Sequence, residues 1–515
     1  MSRTSRINCG EKTFFFNSST VVSNIVEKIA SLITNRYVYL HPNSFINQNP
    51  VCMKRQLQKS ILGLSLTLVS LNYSNAQSIS TGDYNSLLLC NTNTAMATGR
   101  NQFGELCDST TTQRISPVAV TQLSGLVAVY AGGSHSLFLK SDGTVWSSGY
   151  NGSGQLGNGS TGAIQSIPSQ VLGLTGIKAI MAGEIHSLFL KSDGTVWACG
   201  DNGDGQLGDG TTTSKSTAFQ ISGLSGIVAI GAGEGHSLFV KNDGTVWACG
   251  RNTFGQLGDG TNTKQKTPVQ VTSLSGIVAA SGGQDHSLFL KSDGTVWTSG
   301  HNNYGQLCDG TTGDENTPVQ ASGLTGITAV SARAVHSLFL KNDGTVWGCG
   351  WNFYGELGNG TSTYLPVKTA VQASGLTNVI AISIGLDQSL FLKSDGTVWA
   401  CGHNNYGQLG DGTTTDRNSA VKLTGSCTLA LGIKENASSN SISVYPNPAS
   451  DQFSIELAGS NNATAEIFNM EGQLLQRVFL VSPKTNLLIS DLASGLYILR
   501  VKRVDDVLIQ KFIKE

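Results

Sequence analysis

The sequence predicts an all-β protein in which a seven-bladed β-propeller is followed by a small β-sandwich. Three observations support this fold class. A twelve-residue phrase returns about every fifty residues, the chain of 515 residues contains 62 glycines, and short apolar runs are separated by Asp-Gly turns. A period near fifty that is filled with strand and turn patterns is typical of propeller blades.

The repeated phrase HSLFLKSDGTVW first occurs in full at residues 135–146. Its first position is held in turn by Asn85, His135, His186, His236, His286, His336 and Gln388. The run SLFL is apolar on both faces, which is typical of a strand that is covered on both sides. Identical blades need identical contact surfaces, because each blade buries its faces only against its neighbours. We therefore interpret the phrase as scaffold, and we expect both residues of each Asp-Gly pair to have positive φ.

The amino-terminal part of the chain contains a predicted secretory signal peptide at residues 53–76. A basic start leads into the apolar run 61–71, and small residues precede a cleavage site before Gln77. The apolar run is short for a transmembrane helix, so the mature chain is predicted to have no membrane span. Residues 1–52 are then interpreted as a wrongly assigned upstream extension. A genuine extension with an internal anchor is the alternative.

The repeats also carry two recognisable motifs. AGGSHSLFL stands at residues 131–139, and NxxGQLGDGT stands at 202–211. Both resemble the regulator of chromosome condensation family, whose members are seven-bladed propellers, and the resemblance predicts a propeller over residues 77–430. The first repeat departs from the pattern, since Asn85 and Met96 replace the His and the Trp. The family includes a nuclear nucleotide exchanger and secreted protein-binding propellers, and an exported chain fits the second group.

The carboxyl-terminal part shows alternating strand patterns after a predicted linker at residues 431–440. It contains YPNPA at Tyr445–Ala449, GLY at Gly495–Tyr497, and a basic last strand with Lys514 near its end. These features resemble the type A sorting domain of the type IX secretion system. The resemblance implies that residues 441–515 are a sorting domain and that the type IX secretion machinery is a partner. It also implies a protein that is secreted or held on the outer cell surface.

Polar and aromatic side chains that recur in the repeats are interpreted as structural. The five repeat histidines are expected to make the same local hydrogen bond, because a metal needs three or four converging ligands. The six tryptophans after the hairpins, such as Trp247, are expected in the core. The Asp209, Asp259 and Asp411 side chains of GDGT are expected to form turns, since they lack the dense acidic spacing of a calcium loop. We expect no metal, no cofactor and no catalytic group.

Eight cysteines belong to the predicted mature chain. Four share one repeat position, which Ser148 and Ser299 also fill: Cys199, Cys249, Cys349 and Cys401. Alternation of Cys with Ser favours a small buried side chain over bridges between these positions of adjacent blades. Cys107 and Cys308 replace a glycine of the GQLGDG bend, and Cys90 with Cys427 is a candidate clasp between the ends of the propeller.

Candidate binding residues are those that differ between repeats on an otherwise repeated frame. The position after the WxCG strand is held by Arg100, Tyr150, Asp201, Arg251, His301, Trp351 and His403. A mostly aromatic position follows three residues later, and it includes Tyr354 beside Trp351. Variable Arg, Tyr, Trp and His side chains on a rigid scaffold are typical of a recognition surface. Packing of the loops is the alternative for the later aromatic position.

The function class that follows is a ligand-binding propeller rather than an enzyme. Protein recognition through loops on one face is the first hypothesis, and polysaccharide binding is the alternative. A lyase or hydrolase with its site at the channel mouth is the third hypothesis. Nucleic acid is not expected as a partner, because the net charge is −1 and only 13% of the residues are charged.

Overall fold

The structure is a computed structural model that describes residues 78–162, 164–425, 442–445, 449–457, 463–468, 474–480, 482, 484–493, 495–502 and 507–514. The predicted extension 1–52, the signal peptide 53–76 and the linker 431–440 lie outside these residues. The chain divides into two compact units at Gly432 and Ile433. The described part of the chain contains no helix that is long and apolar enough to cross a bilayer.

The first unit contains seven four-stranded antiparallel sheets, each formed by four consecutive strands. We number these sheets as blades 1 to 7 in chain order. Blade 1 contains β1–β4 (Ile79–Thr81, Asn85–Leu89, Ala95–Gly99, Arg114–Val120), blade 2 contains β5–β8 (Leu126–Ala131, His135–Lys140, Val145–Gly149, Gln165–Gln170), blade 3 contains β9–β12 (Ile177–Ala182, His186–Lys191, Val196–Gly200, Lys215–Gln220), and blade 4 contains β13–β16 (Ile227–Ala232, His236–Lys241, Val246–Gly250, Gln265–Gln270). Blade 5 contains β17–β20 (Ile277–Gly282, His286–Lys291, Val296–Gly300, Glu315–Gln320), blade 6 contains β21–β24 (Ile327–Arg333, His336–Lys341, Val346–Asn352, Thr363–Gln372), and blade 7 contains β25–β28 (Val379–Ile384, Gln388–Lys393, Val398–Gly402, Arg417–Lys422). The predicted all-β propeller is confirmed.

The core of the propeller lies between blades. The described residues form seven hydrophobic clusters, one at each boundary between neighbouring blades. One phenylalanine in the SLFL run is fully buried in six of the blades: Phe138, Phe189, Phe239, Phe289, Phe339 and Phe391. These runs are therefore covered on both faces, as their unbroken apolar sequence predicts.

The ring closes where blade 1 meets blade 7. Ile79 and Leu88 of blade 1 pack with Leu390 and Leu392 of blade 7 in the last of the clusters. Hydrogen bonds add to this contact, since the Ser86 hydroxyl donates to a blade 7 carbonyl at 2.8 Å. Blade 1 thus completes the ring although its sequence departs from the repeat.

The tryptophans of the repeat are less buried than predicted. Trp247 pairs with Phe239 across β14 and β15, but its ring is only partly buried, whereas Phe239 is 0% exposed. The Lys241 ammonium group lies 4.8 Å from the centre of the Trp247 ring, and a lysine covers the equivalent tryptophan of each of the other five blades that have one. The prediction that these tryptophans belong to the core is therefore wrong in part. They seal the rim of the interface, and cation–π contacts cover their outer faces.

The Asp-Gly hairpins also differ from the prediction. Gly143 has a φ of 78°, but Asp142 is not among the residues with positive φ. Lys140 and Thr144 close a three-residue loop through a hydrogen bond of 2.9 Å. The Asp142 carboxylate accepts hydrogen bonds from the Thr144 backbone and hydroxyl at 2.9 and 2.6 Å. A turn followed by a glycine bulge explains why only the glycine needs the left-handed region.

The GDGT aspartates form turns, as predicted. The Asp209 carboxylate accepts hydrogen bonds from the Thr211 backbone and hydroxyl at 2.9 and 2.7 Å. The buried Asn202 side chain donates to the same carboxylate at 2.9 Å and accepts the Leu207 amide at 3.0 Å. Asn202 therefore organises the loop from inside, a role that the sequence analysis did not assign.

Cysteine pairing is partly as predicted. Cys199, Cys249 and Cys401 are buried free thiols, which confirms the small-side-chain interpretation for them. Cys349 differs, because it forms a disulfide with Cys308, with a Cα–Cα distance of 5.7 Å.

In each blade, the residue at the GQLGDG bend that Cys308 holds lies against the third strand of the next blade, at the position that Cys349 holds. This contact explains the pairing. At the boundary between blades 1 and 2, Cys107 lies against Ser148, so no disulfide can form there. Cys90 is disulfide-bonded, while its suggested partner Cys427 lies outside the described residues.

The second unit is a small β-sandwich. Its strands are β29–β35 (Ile442–Tyr445, Gln452–Leu457, Ala463–Phe468, Leu474–Leu480, Lys484–Leu488, Gly495–Lys502, Val507–Lys514). They form a three-stranded sheet in the order β29-β30-β33 and a four-stranded sheet in the order β32-β31-β34-β35. Phe453 and Phe512 meet in the core with ring centres 4.5 Å apart. The buried Glu466 carboxylate pairs with Arg477 and Arg500, and hydrogen bonds with these cations hold its pKa low against burial, at about 2.

The difference in burial between Phe239 and Trp247 predicts different costs of truncation. We expect Phe239→Ala to lower the free energy of unfolding by about 3–5 kcal/mol, because it leaves a cavity between blades. Trp247→Ala should cost about 1–3 kcal/mol, since part of its ring already faces water. Urea unfolding of the two variants, with Lys241→Ala as the control for the cation–π contact, measures this difference. A larger loss for Trp247→Ala would contradict the assigned burial.

Candidate functional site

One end of the propeller brings the variable positions of all seven repeats together. In each blade, the backbone N–H after the third strand donates to the carbonyl of the residue before the His position. Arg251 donates to Gly235 in this way at 2.7 Å, and Trp351 donates to Val335 at 3.0 Å. The same bond occurs for Arg100, Tyr150, Asp201, His301 and His403. We call this end the variable face, because this hydrogen bond joins two positions that differ between repeats: the residue after the WxCG strand and the residue before the His position.

The later aromatic position links neighbouring blades at five of the seven boundaries on this face, since Ser153 and Asp204 hold the position in blades 2 and 3. Phe103 contacts Tyr150, and Phe254 contacts His301, with ring centres 5.2 and 4.6 Å apart. Similar ring contacts join Tyr304 with Trp351 at 4.8 Å, Tyr354 with His403 at 4.4 Å, and Tyr406 with Tyr84 at 5.0 Å. The aromatic position therefore packs the loops against the neighbouring blade.

The candidate binding residues differ in how accessible they are. Tyr150 is 36% exposed, whereas His403 is only 7% exposed between its aromatic neighbours. Four others, Asp201, His301, Trp351 and Tyr354, are partly exposed. His403 therefore differs from the expected surface role, because Tyr354 and Tyr84 cover its ring.

The two arginines of the set are already engaged in ion pairs. Arg100 pairs with the buried Glu105 at 3.0 Å and donates to the Ser134 hydroxyl at 2.7 Å. Arg251 pairs with Asp204 at 2.9 Å and with Glu234 at 3.1 Å. These contacts raise the pKa of Arg251 despite its partial burial. Both side chains fix the loops and leave only part of each guanidinium to a ligand.

Blade 6 carries an extended apolar part of the variable face. Its third and fourth strands, β23 and β24, are longer than those of the other described blades and add the pair Asn352 and Thr363. At this extension Tyr364 and Leu365 are 73% and 75% exposed. Phe353 contacts both Trp351 and Tyr364, with ring centres 5.9 and 4.2 Å apart. We call Trp351, Phe353, Tyr364 and Leu365 the blade 6 patch.

Sequence reasoning found only Trp351 of the blade 6 patch. The available signal was the spacing of 52 residues between His336 and Gln388, because two extra residues extend this hairpin.

The mouth of the central channel contains a cross-channel ion pair that the sequence analysis did not assign. Arg333 of blade 6 pairs with Asp83 of blade 1 at 2.9 Å, although blade 7 lies between them. Six blades have glycine at the Arg333 position, and at Gly233 an added Cβ would lie 2.2 Å from the His236 ring. Blade 6 escapes this clash because β21 continues to Arg333 and Ala334 takes a positive φ of 45°. The departure SARAVH in the sequence was the available signal.

Comparison with known families supports both parts of the chain. Residues 177–386 match the RCC1-like domain, and residues 126–155, 379–408, 142–190 and 395–425 match the Regulator of chromosome condensation (RCC1) repeat. Residues 443–515 match the Secretion system C-terminal sorting domain. The chain carries RCC1 repeats and a secretion sorting domain. The sorting domain implies the type IX secretion system and a secreted or outer-surface location, so this is a secreted propeller protein.

Individual curated relatives match only part of this chain. The E3 ubiquitin-protein ligase HERC2 of Homo sapiens is 36% identical over 137 residues, which cover 26% of this chain and 3% of that protein. The probable E3 ubiquitin-protein ligase HERC4 of Homo sapiens is 34% identical over 169 residues, which cover 32% and 15%. The chain therefore spans a small part of these relatives, and the ligase activity in their names is theirs.

Solved structures share the same fold. Prp20p from Saccharomyces cerevisiae has a TM-score of 0.56 at 20% identity, covering 67% of this chain and 87% of its own. Human WBSCR16 has a TM-score of 0.55 at 23% identity, covering 61% and 85%.

The repeat histidines of this RCC1-repeat propeller all make one kind of contact, as predicted. His236 Nε2 lies 3.0 Å from the Ser287 hydroxyl of the next blade, and that hydroxyl donates to the Gln256 carbonyl at 2.6 Å. Since the hydroxyl proton is used, the imidazole must donate from Nε2. The other four histidines bond in the same way to Ser187, Ser237, Ser337 and Ser389. Within the described residues, no group of three or more His, Cys, Asp or Glu side chains is arranged to hold a metal ion.

Burial of these histidines makes the stability of the propeller sensitive to acid. Burial lowers the pKa of His236 to about 3, compared with about 6.5 when unfolded. The unfolded chain therefore binds more protons between these values, and stability should fall as the pH decreases from 6.5 towards 3.

A glutamine variant isolates one histidine of this set. His236→Gln copies the native Gln388, which donates to the Gly82 carbonyl at 3.2 Å. Below pH 6.5 its free energy of unfolding should fall less steeply, by up to about 1.4 kcal/mol per pH unit. Unfolding at a series of pH values measures both slopes. Equal slopes would show that His236 takes up no extra proton on unfolding.

Proposed function

We propose that this secreted RCC1-repeat protein recognises a protein partner through its variable face. The observation that carries the proposal is spatial: side chains that differ between repeats meet at one end of an otherwise repeated frame. Loops at one end of a rigid scaffold are a common place for binding sites. In this proposal Tyr150, Asp201, His301, Trp351 and Tyr354 contribute directly, while Arg100, Arg251 and His403 support the loops.

The blade 6 patch is the proposed centre of this interface. Exposed Tyr, Trp and Leu side chains within a polar rim match the usual core of a protein interface. The aromatic rings around this patch are inclined rather than coplanar. The angle between ring planes is 73° for Tyr304 and Trp351 and 49° for Trp351 and Phe353. This arrangement favours an irregular protein surface over the flat stacking of sugar rings. Polysaccharide binding is the second candidate, because partly exposed aromatic rings also occur at glycan sites.

The route to this location is part of the proposal. Residues 53–76 direct export across the inner membrane, and cleavage before Gln77 leaves the mature chain. The type IX secretion machinery then recognises residues 441–515. We propose a binding role without catalysis at the propeller, since its repeat histidines and the carboxylates of its turns engage in structural contacts.

A capture experiment tests the proposed interface. The immobilised full chain is exposed to culture-medium proteins and, in parallel, to a glycan panel. We expect a specific protein to be retained and its binding to fall at least tenfold in Trp351→Ala/Tyr364→Ala/Leu365→Ala, since such anchors dominate interface energies. The matched control is Ile167→Ala/Leu172→Ala, which removes exposed apolar side chains from blade 2. Equal capture by both variants would contradict the proposal, and capture of a glycan alone would support the second candidate.

A further inference from the structure

The mouth of the channel on the variable face has an excess of negative charge. Five carboxylates line it, which we call the acidic mouth: Asp83, Glu184, Glu234, Asp285 and Asp387. Arg333 neutralises Asp83, and Arg251 lies 3.1 Å from Glu234 and 3.6 Å from Asp285. Burial and the neighbouring Glu234 and Asp83 carboxylates raise the pKa of Glu184 to about 7. Two guanidinium groups therefore leave part of this charge uncompensated.

A buried carboxyl group with one unpaired oxygen lies beside blade 7. Glu356 is 0% exposed, and its Oε1 atom has no hydrogen-bond partner among the described residues. Its Oε2 atom accepts the Tyr354 amide at 3.0 Å. Burial first, and then Asp387, raises the pKa of Glu356 to about 8. The carboxyl group therefore lies close enough to the acidic mouth to respond to its charge.

Comparison between blades shows which groups lie within reach of the Glu356 carboxyl. The equivalent Gln256 of blade 4 donates to Asp285 of blade 5 at 2.8 Å, whereas the equivalent glutamines of blades 3, 5 and 7 bond to the variable residue five positions earlier in their own blade. In blade 6 that residue is Trp351, and Asp387 stands in the place of Asp285. Asp387 is thus a charged neighbour of Glu356 across this boundary, and it contributes to the raised pKa of Glu356. Burial and the nearby Asp83 and Asp416 raise the pKa of Asp387 to about 6.

Aromatic rings flank the same carboxylate. The charge of Asp387 contributes, after burial, to the raised pKa of both Tyr84 and Tyr354, so both rings lie near it. Carboxylates beside tyrosine faces are a favourable environment for ammonium and guanidinium groups. The exposed Tyr364 lies on the same side of blade 6, linked to Tyr354 through Phe353, with ring centres 4.2 and 4.5 Å apart.

We propose that the acidic mouth at the boundary of blades 6 and 7 binds a lysine or arginine side chain of the protein partner. Asp387 binds the cationic group, the rings of Tyr354, His403 and Tyr84 border it, and the blade 6 patch binds the neighbouring apolar residues. The inference rests on the proposed function and names the chemistry of the partner: a basic segment with neighbouring apolar residues. Charge complementarity selects this occupant, because the cation supplies the positive charge that the mouth lacks.

A peptide titration tests the charge preference. Deca-arginine is titrated into the full chain by calorimetry at pH 8 and low salt, with deca-glutamate as the opposite probe. We expect deca-arginine to bind and Asp387→Asn to weaken it about tenfold. Asp491→Asn, the same change in the sorting domain, should leave the affinity unchanged. Binding that is unaffected by Asp387→Asn, or equal binding of deca-glutamate, would overturn the inference.

The carboxyl pair gives a second measurement that does not depend on removing Asp387. A bound guanidinium favours the ionised forms of Glu356 and Asp387, so deca-arginine affinity should increase as the pH rises from 6 to 9. Glu356→Gln, which introduces the glutamine that five other blades have at this position, should reduce this increase, and Glu184→Gln/Glu356→Gln should nearly abolish it. An affinity that is independent of pH in the wild-type chain would overturn the inference.

Most groups near Glu356 and Asp387 keep one charge state between pH 6 and 9, and the exception is controlled by a variant of its own. Burial raises the pKa values of Tyr84, Tyr354 and Cys401 and lowers that of His403. The remaining charged neighbours of the pair are Asp83, which is paired with Arg333, Asp416, and Arg100 beside Tyr84. Glu184 is the other mouth group with a pKa near neutrality, which is why the double variant includes it.

The inference and the proposed function can fail separately. A captured partner that is lost with the blade 6 patch but unaffected by Asp387→Asn would overturn the cation inference alone. Capture that survives changes at both places would overturn the proposed function together with the inference.

Discussion

The structure depends on one constraint: a blade can bury its apolar strands only against the blades on either side. The SLFL run of blade 4 places Leu238 in the boundary with blade 5 and Phe239 in the boundary with blade 3. An open row of blades would leave two such faces in water. The ring must therefore close, and blade 1 closes it with Ile79 and Leu88 despite its altered repeat.

The same constraint explains why the polar parts of the repeat are so uniform. Each histidine bonds to a serine of the next blade, and that serine donates to a loop carbonyl of the histidine's own blade, as in His236, Ser287 and Gln256. The glycine before each histidine makes room for this contact, since a side chain at Gly233 would overlap the imidazole. These positions are not free to vary, and side-chain variation is confined to the loop ends. The variable face is thus a consequence of the packing.

The sequence predicts what is repeated better than what is unique. Blade number, strand positions and the local role of the histidines follow from a period near fifty, because each observation recurs. The partial burial of the repeat tryptophans at the edge of the blade interfaces was not predicted. A recurring aromatic residue in the sequence does not show how much of its ring is covered only by a neighbouring lysine. The pairing of Cys308 with Cys349 and of Arg333 with Asp83 was also missed. Both join different blades, and such contacts depend on the angle between blades rather than on a local pattern.

The unique features are not spread evenly around the ring. Blade 6 alone replaces the glycine three residues before the histidine by Arg333 and extends its outer hairpin to Tyr364. Together with blade 1, it has a glutamate, Glu356, where the other five blades have glutamine. Its boundary with blade 5 carries the disulfide between Cys308 and Cys349. A positive φ at Ala334 and an unpaired oxygen on the buried Glu356 carboxyl both cost stability. Such costs also occur singly in other blades, as in the positive φ of Cys107 and of Cys308, but blade 6 combines them with an extended apolar hairpin. The proposed binding surface accounts for this combination, because these departures lie beside the residues that it assigns to the partner.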